Sequence, residues 1–339
     1  MALRPENWKA VRWPEGRTGR FPENMSSSVS VSIVSFNNRS FIGGCLDSVM
    51  RQDYPASEVV LVDNASTDGT VELVRENYPG VRVIANPENE LFCRAQNTGI
   101  RSTTGDYALV LNSDVVLDTG FLSAAVAAME SDPKVGSVTG RVLRTGGGVI
   151  DTTGLSLGRD RRPVDRGYGE PDDGRYAVRG YVFGAGGVCP LYRRAMLDDI
   201  AMDGEYFDES YGAFYEDLDL AWRADRRGWR AFFAPGAVAY HQRGATARTG
   251  GGGAGLLGSY AISRLPDSLK ARVVVNRYLT MVKNDSLAGA LFHLPWILFY
   301  DIKLWMYLVF FAPRAIPGVL SGMKLLPLAW QRRKLIHGD

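Results

Sequence analysis

The stretch Val29-Ser-Val-Ser-Ile-Val-Ser-Phe-Asn-Asn38 decides the fold class. Its residues first alternate between apolar and polar, then become apolar, and the stretch ends in polar residues. This pattern is typical of a strand that enters a buried sheet. The apolar residues that follow recur at helical spacing: Phe41, Ile42, Cys45, Leu46, Val49 and Met50. They predict an amphipathic helix, with Ser40 placed to cap it.

The same alternation of strand and helix continues to about residue 142. Further strands are predicted at Val59–Val62, Val81–Ile84, Ala108–Leu111 and Val135–Val142. Helices are predicted near Thr70–Glu76, at Ala95–Ser102 and from Phe121 to Met129. Short links in such a pattern give an α/β fold with a mostly parallel sheet and helices on both faces. Residues 145–180 predict a long excursion, and Val182–Cys189 predicts a strand whose glycines allow close packing.

Polar residues follow each of the first four predicted strands. They are Phe36-Asn37-Asn38, then Asp63-Asn64-Ala-Ser66-Thr67-Asp68-Gly69, then Asn86-Pro-Glu-Asn89 leading to Arg94 and Asn97, then Asn112-Ser113-Asp114. Parallel strands end at a common edge, where the ligands of such sheets bind. One polar run would be an ordinary turn. Four of them at one edge indicate a binding site.

A second acidic stretch, Tyr215-Glu216-Asp217-Leu218-Asp219-Leu220-Ala-Trp222-Arg223, predicts a helix. Asp219 and Arg223 are four residues apart and are expected to pair on its exposed face. Glu216 and Asp217 fall in its first turn, where the helix dipole is expected to keep both acids ionised. An ionised carboxylate at a pocket suits a general base, but acids are also routine in first helical turns. The stretch alone leaves both interpretations open.

Composition excludes several classes of protein. The net charge of +2 does not mark a nucleic-acid binder, and three histidines exclude a histidine-rich metal centre. Cys45, Cys93 and Cys189 lack paired spacing, so they predict neither disulfides nor a zinc site and fit a reducing compartment. A dinucleotide oxidoreductase would need a glycine-rich turn after the first strand, which is absent here. A nucleotidyltransferase that makes the activated sugar would also need an early glycine-rich loop to bind phosphate.

These motifs, in this order and completed by Phe207-Asp208-Glu209 and Ala239-Tyr240-His241, resemble the family-2 inverting glycosyltransferases. The likeness is greatest to rhamnosyltransferase-type members of bacterial surface-polysaccharide pathways. It runs from about Val29 to Arg243, and more weakly through Asn276 to Asn284. The resemblance implies a glycosyltransferase A-type, Rossmann-like fold and a nucleoside-diphosphate sugar as donor.

The resemblance also implies a role for each matching residue. Asp63 would bind the nucleobase, with Ser35 and Phe36 lining its pocket. Arg94 and Asn97, with Asn112 and Ser113, would contact the donor. Asp217 of the Glu216-Asp217 pair would be the catalytic base.

A divalent cation, Mg²⁺ or Mn²⁺, is implied at the donor diphosphate. Asp114 matches the metal-binding end of the family's Asp-X-Asp motif, and His241 matches a histidine near the metal in some relatives. The first position of that motif is Asn112 here, which supplies one negative charge less to a hard cation. An ordinary core histidine remains the alternative for His241.

The C-terminal part of the chain is apolar. Residues 287–312 carry several aromatic residues, with Asp301 and Lys303 in the middle and breaks expected at Pro295 and Pro313. Charges at mid-span disfavour a spanning helix. The pattern favours helices lying in the membrane interface, with Lys324, Arg332, Arg333 and Lys334 facing anionic lipid. Packing on the core or on a second subunit is the alternative, so an oligomer through this segment stays open.

The predicted organisation has four parts. Residues 1–28 form a lead-in, and 29–248 a catalytic domain with a nucleotide-binding half (29–142) and an acceptor-binding half (143–248). A loop and connecting helix (249–285), whose glycine-rich start at 249–258 could close over the donor, precede an apolar helical segment (286–339).

The predicted function is inverting transfer of a sugar, from dTDP-rhamnose or a UDP-sugar, to a glycan or lipid-linked acceptor in cell-surface polysaccharide synthesis. The expected location is cytoplasmic, peripheral on the inner face of the membrane. A non-catalytic, membrane-associated sugar-nucleotide-binding protein is the rival. A processive synthase is disfavoured, since its Gln-X-X-Arg-Trp motif is absent.

Overall fold

A computed structural model of the chain describes residues 27–242 and 262–337. The strands are β1 Val29–Ser35, β2 Glu58–Asp63, β3 Arg82–Ala85, β4 Tyr107–Asn112, β5 Val115–Leu117, β6 Val135–Arg144, β7 Ile150–Thr152, β8 Leu155–Leu157, β9 Pro163–Asp165, β10 Gly180–Val182, β11 Leu191–Arg193 and β12 Arg230–His241. The helices are α1 Arg39–Met50, α2 Thr70–Asn77, α3 Leu91–Arg101, α4 Phe121–Glu130, α5 Arg194–Ile200, α6 Glu216–Arg226, α7 Asp267–Asn284, α8 Leu287–Phe311, α9 Ile316–Gly322 and α10 Leu326–His337. The predicted lead-in, apart from its last two residues, and the predicted loop at 249–258 lie outside the described residues.

Ten strands form one mixed sheet in the order β10-β12-β6-β11-β4-β1-β2-β3, with β5 beside β12 and β7 beside β6. The run β3-β2-β1-β4 is parallel throughout, as is the pair β6 and β12. The short strand β11 lies between β4 and β6 and is antiparallel to both. The predicted mostly parallel sheet is thus confirmed. Its antiparallel members, β5, β7, β10 and β11, were not predicted, because three residues each are too few to show a period.

Helices cover both faces of the sheet, as predicted. Alternate residues of β4 point to opposite sides: Leu109 lies in one hydrophobic cluster and Val110 in another. The first cluster includes residues of α1 and α4. The second joins residues of α3, α5, α6, α7 and α8, so this core continues across the predicted boundary at residue 285.

Two local predictions are wrong. Helix α1 begins at Arg39 after Asn38, which places Ser40 inside the first turn and not at the cap. Strand β10 ends at Val182, and the residues from 183 to 189 contain only an isolated bridge at Gly184. The glycines of this segment do permit close packing, because a Cβ added at Gly184 would lie 2.5 Å from the Cβ of Ala221. The segment is therefore a loop pressed against α6.

The apolar helix α8 is mostly uncovered. It is the one helix among the described residues long and apolar enough to cross a membrane by length and composition, yet only 22% of its most apolar window is buried. Its exposed apolar residues include Leu291, Phe292, Phe299, Ile302, Met306, Phe310 and Phe311. The expected break at Pro295 is wrong, since α8 continues through that residue and ends two residues before Pro313.

The opposite side of α8 is fixed to the protein. Arg277 of α7 is 1% exposed and donates from Nε to Asp301 Oδ1 at 2.9 Å. Tyr300, Leu304 and Leu308 are buried in the second cluster. Asp301 therefore points inward, where it has a partner. Lys303, the other charge in mid-helix, lies over the exposed ring of Phe299, with Nζ 4.1 Å from the ring centroid, so the outward side carries the apolar residues together with this lysine.

The basic residues of α10 are not all placed as expected. Arg332 is buried and pairs with both carboxylate oxygens of Glu205 at 2.9 Å and with Asp208. Arg333 donates to the carbonyl oxygens of residues 282 and 285. The prediction that these two arginines face lipid is wrong, because both serve to attach α10 to the body of the protein. Lys324 and Lys334 are exposed.

Candidate active site

The loops that follow β1, β2 and β4 are joined by side-chain hydrogen bonds. The backbone N–H of Asn37 donates to Ser66 Oγ at 2.8 Å, and Asn37 Oδ1 accepts the N–H of Thr67 at 2.8 Å. Asn38 donates its amide to Ser113 Oγ, again at 2.8 Å. The polar residues that the sequence places after separate strands therefore meet at one edge of the sheet.

The residues predicted to line the nucleobase pocket lie where β1 and β2 end. Asp63 is 1% exposed and accepts from Ser66 through both carboxylate oxygens, from N–H at 2.8 Å and from Oγ at 2.6 Å. Phe36 is 45% exposed, which is unusual for a large aromatic residue at the end of a buried strand. Ser35 Oγ is buried without a hydrogen-bond partner among the described residues. A ligand at this edge would give both side chains a partner.

Arg94 and Asn97 project from α3 toward the Phe207-Asp208-Glu209 segment. Arg94 is exposed and donates from Nε to Glu209 Oε2 at 2.8 Å. Asn97 is fully buried, and it both donates to the carbonyl of Phe207 and accepts its N–H, at 2.7 and 2.9 Å. This arrangement leaves Arg94 accessible to a ligand. Asn97 lies beneath the surface, where it also donates to Glu209 Oε1 at 3.1 Å, and its contact with the donor stays a prediction.

Asp114 and His241 face each other at the far end of the same edge. Strand β5 pairs with β12 so that His241 lies opposite Val115, next to Asp114. His241 Nε2 is 3.2 Å from Asp114 Oδ1, and its Nδ1 is 2.8 Å from Asp151 Oδ2. Asp151 is fully buried in β7. Burial alone would lower the pKa of His241, but the hydrogen bonds to both carboxylates outweigh it and raise that pKa.

The Asp114 and His241 pair fits a divalent cation in its chemistry. A carboxylate and an imidazole nitrogen converge there, and a carboxylate on the second ring nitrogen is the usual support for a metal-binding histidine. No group of three or more His, Cys, Asp or Glu residues able to hold a metal occurs in the described parts of the chain. Further ligands would have to come from the donor diphosphate and water.

Asp217 is connected to this edge through the loop before β11. Gly187 donates its N–H to Asp217 Oδ2 at 3.1 Å. The next residue, Val188, accepts the N–H of Asn112 at 3.0 Å. A path of two hydrogen bonds thus connects Asp217 with the Asn112-Ser113-Asp114 turn. This path brings the loop that contacts Asp217 next to the turn that carries Asp114.

Glu216 and Asp217 do not both remain ionised, contrary to the expectation from the helix dipole. Burial and the neighbouring Asp217 carboxylate raise the pKa of Glu216 to about 8. Its Oε2 has no hydrogen-bond partner among the described residues. Burial also raises the pKa of Asp217, opposed by the N–H groups of Leu218 and Gly187. At neutral pH, below its pKa of about 8, Glu216 is protonated, which is the form that burial and the neighbouring Asp217 charge favour.

The expected pairing of Asp219 with Arg223 is present, but not on an exposed face. Their side chains are 0% and 1% exposed, with 3.0 Å between Arg223 Nε and Asp219 Oδ2. Lys283 of α7 reaches Asp219 Oδ1 at 2.9 Å and also contacts Asp208. The helix that starts at Glu216 is thus buried on the side predicted to be solvated.

Sequence reasoning missed two residues that contact the predicted site residues. Asp151 lies in the excursion at 145–180, which shows no periodicity, and nothing in its neighbourhood signals a partner for His241. Gly187 was noted only as part of a glycine-rich strand. A Cβ there would lie 3.4 Å from Asp217 Oδ2, an ordinary van der Waals distance, so the contact is made by the N–H of Gly187 and does not depend on the missing side chain. That contact could have been suspected only once the Glu216-Asp217 helix was placed.

Comparison with known proteins bears on the family. The model of the family described as "Glycosyl transferase family 2" matches residues 30–201, just over half of the chain. The chain belongs to glycosyl transferase family 2. The matched range includes the turn at Asp114 and ends before Asp217 and His241.

The curated relatives of this family-2 chain include proteins named as synthases of a polysaccharide, poly-beta-1,6-N-acetyl-D-glucosamine. Poly-beta-1,6-N-acetyl-D-glucosamine synthase of Staphylococcus aureus is 24% identical over 221 residues, which is 62% of this chain and 49% of the synthase. The Staphylococcus epidermidis protein of the same name is 22% identical over the same shares. The chain spans about half the length of these relatives.

Solved structures show the same fold. The mannosyltransferase PcManGT from Pyrobaculum calidifontis, in complex with GDP-Man and Mn²⁺, matches with a TM-score of 0.53 and 21% identity over 90% of this chain and 76% of that one. TarS 1–349 of S. aureus in complex with UDP-GlcNAc matches with a TM-score of 0.56 and 17% identity over 91% of this chain and 83% of that one. The predicted family and fold are confirmed.

Proposed function

We propose that this family-2 protein transfers a sugar, with inversion, from a nucleoside-diphosphate sugar to an acceptor hydroxyl in cell-surface polysaccharide synthesis. The observation that carries the proposal is the connection of Asp217 to the Asp114 turn through Gly187 and Val188. A base and a diphosphate site on one edge of the sheet can serve a single sugar ring.

The donor would lie along the edge formed by the loops after β1, β2 and β4. Asp63 would bind the nucleobase, Phe36 offers an exposed ring against it, and Ser35 Oγ supplies an unused polar group. Arg94, with Asn112 and Ser113, would contact the rest of the nucleotide. The base and sugar remain proposals, dTDP-rhamnose first and a UDP-sugar second. A thermal-shift screen of nucleoside diphosphates with and without Mn²⁺ would rank them.

Asp114 and His241 would hold Mg²⁺ or Mn²⁺ against the diphosphate, with Asp151 fixing the histidine ring. A cation at this position neutralises the charge that develops on the leaving group. Because one His nitrogen is engaged by Asp151, the other is directed to the Asp114 side.

Asp217 would take the proton of the acceptor hydroxyl. Burial raises its pKa, which makes its ionised form a better base than an ordinary carboxylate. The acceptor oxygen then forms its bond to the anomeric carbon as the bond to the diphosphate breaks on the opposite side. The acceptor class proposed is a glycan or a lipid-linked glycan.

The test of this assignment is Asp217→Asn. The variant should bind nucleoside diphosphate as the wild type does, measured by calorimetry, and should lose about 10²–10⁴-fold in kcat. The rival, a non-catalytic sugar-nucleotide-binding protein, predicts no turnover by the wild type. Turnover of the variant near the wild-type rate would contradict the role of Asp217.

We also propose that the exposed stripe of α8 lies in the interface of an anionic membrane, on the cytoplasmic side. Twelve large apolar residues between Leu287 and Phe311 are exposed; of the two charges in mid-helix, Asp301 turns inward to Arg277 and Lys303 covers the ring of Phe299. Exposed lysines at 324 and 334 add positive charge in the following helices. A helix with one apolar face and an attached opposite face suits an in-plane position.

Point substitutions test this placement better than removing the segment, because α8 and α10 share a core with α7. Phe292→Ser with Phe299→Ser should reduce sedimentation with vesicles that contain anionic lipid. Val178→Ser, at a residue 77% exposed in the loop before β10, is the matched control. Unchanged sedimentation of the double variant would contradict the membrane placement. So would a wild type that is a dimer and a double variant that is a monomer.

A further inference from the structure

The backbone just before the Glu216-Asp217 pair adopts an unfavourable conformation. Phe214 and Tyr215 both have positive φ angles, of 70° and 69°, and Gly212 has φ 65° with ψ −59°. Side chains other than glycine rarely occupy this region, and consecutive examples persist only where surrounding contacts hold them. The turn that leads into α6 therefore depends on neighbours for its shape.

Asn276 of α7 supplies those contacts. Its side-chain nitrogen lies 3.0 Å from the carbonyl oxygen of Tyr211, 2.9 Å from that of Ala213 and 2.8 Å from that of Phe214. The amide has two hydrogens for three acceptors, so one hydrogen is shared. The reverse orientation of the amide would aim its oxygen at three carbonyl oxygens, which settles the orientation. Asn276 is 1% exposed, so water does not replace it.

Other residues on the same side of α7 attach the surroundings of the turn. Thr280 exchanges a hydrogen bond with Tyr211 Oη at 2.8 Å, and Asn284 donates to Asp219 Oδ1 at 2.7 Å. Lys283 pairs with Asp208 and Asp219. These residues recur three and four positions apart, which puts them on one face of the helix. Asn276 is the one that contacts the backbone directly before Glu216.

We propose that Asn276 is a positioning residue for Asp217. By holding the carbonyl groups of the 211–214 turn, it fixes where α6 starts, and so it places the Asp217 carboxylate against the N–H of Gly187. This inference rests on the proposed function, because it takes Asp217 as the base. It also assigns a part in the site to α7, which lies beyond the residues that the family model matches.

No smaller or differently charged side chain meets the same requirement. Alanine has no donor, and aspartate would face three carbonyl oxygens with negative charge. Arg272 Nη1 also donates to the Tyr211 carbonyl, at 2.9 Å, so the turn would lose part of its support and not all of it. We therefore expect Asn276→Ala to shift the turn without unfolding the protein.

The experiment compares Asn276→Ala with Val274→Ala in the full-length chain. Val274 is a buried residue of the same helix, and its side chain makes no hydrogen bond to the turn. Val274→Ala should therefore lower the stability of the protein as Asn276→Ala does, but leave the turn in place. Asn276→Ala should lower kcat by about tenfold to a hundredfold, since small displacements of a reacting group cost this much. The donor KM and the Kd for nucleoside diphosphate should change less than about twofold.

A pH profile separates positioning from general loosening. Asp217 loses a fixed N–H partner when the turn moves, so the acidic limb of kcat/KM should move to higher pH in Asn276→Ala and stay in place in Val274→Ala. If Asn276→Ala does not fold, Arg272→Ala, at a partly exposed residue, should show the same pattern at a smaller size. A kcat and pH profile like those of the wild type in whichever variant folds would overturn the proposal.

Asp217→Asn, measured in parallel, shows which claim has failed. An active Asp217→Asn would contradict the proposed function itself. An inactive Asp217→Asn together with a fully active Asn276→Ala would overturn only the positioning role.

Discussion

Two parts of the proposed site are held in place by different means. One is the donor edge, formed by the loops after β1, β2 and β4, and the other is the base helix α6, which carries Asp217. At the donor edge, short loops after β1, β2 and β4 bond to one another through Asn37, Asn38 and Ser113, and the parallel strands already bring them together. The base helix α6 is held from below by α7, whose residues come about 60 positions later in the chain. The position of the donor edge follows from the parallel strand order of the sheet. The position of α6 depends on its packing against α7, which the strand order does not determine.

The buried ion pairs between α6 and α7 should be far more important for stability than the ion pair at the surface of α7. Lys283 is fully buried and compensates Asp208 and Asp219, and the pKa of Asp208, which burial would raise, is held well below its usual range by Lys283 and Arg332. Lys283→Met should lower the free energy of unfolding by about 3–5 kcal/mol, because two carboxylates lose their shared partner. Urea denaturation followed by circular dichroism measures it.

Lys270→Met is the matched control on the same helix. Lys270 pairs with Asp267 at 2.8 Å, and that carboxylate is partly exposed. We expect a loss below about 1 kcal/mol, as is usual for such pairs. Equal losses in the two variants would show that α6 does not depend on α7 for its attachment.

Asp151 allows a test of the donor edge, because its carboxylate contacts the His241 ring. Asp151→Asn keeps the volume but weakens the hold on the His241 ring, so the Mn²⁺ concentration that gives half-maximal nucleoside-diphosphate binding should rise about tenfold to a hundredfold. Asp172→Asn, in the same excursion and paired with Arg141, should leave it unchanged. An unaltered Mn²⁺ requirement in Asp151→Asn would separate His241 from the cation.

A further prediction concerns Glu216 and the pH dependence of stability. Its pKa of about 8 exceeds the ordinary value of 4.5, so the folded state keeps a proton that the unfolded chain releases. Stability from this group is therefore complete below pH 4.5 and falls as the pH rises toward 8. Glu216→Gln should remove that fall and raise Tm at pH 8 relative to pH 5 by about 2 °C or more.

Glu209 provides a control of opposite sign. Burial would raise its pKa, but hydrogen bonds from Asn97 and Arg94 lower it below the ordinary value. Its contribution to stability is present above the pKa of the unfolded chain and is lost as the pH falls. Glu209→Gln should therefore lose stability at neutral pH more than in acid, and the same direction of change in both variants would contradict the account.

The sequence was sufficient for much of the fold and for the meeting of the polar loops at one edge of the sheet. Apolar periodicity located β1 to β4 and α1 to α4 within a few residues, because each segment is long enough to show a period. The polar runs after the strands then met at one edge, since parallel pairing leaves no other arrangement.

The rest could not be predicted, for physical reasons that particular residues show. Strand β11 has three residues and no detectable period. The helix-dipole argument failed for Glu216 because burial and a neighbouring charge outweigh a partial charge at a helix end. Arg332 and Asp219 look like surface residues by type, and only the packing of α7 and α10 against α6 shows that they are buried.

The central claim is that Asp114 and Asp217 serve one cleft, and a crystal structure with a nucleoside-diphosphate sugar and Mn²⁺ tests it most directly. We predict an anomalous manganese peak in contact with Asp114 and His241, and a sugar whose anomeric carbon is open to the Asp217 carboxylate on the face opposite the diphosphate. A manganese peak away from Asp114, or a sugar ring directed away from Asp217, would contradict the account.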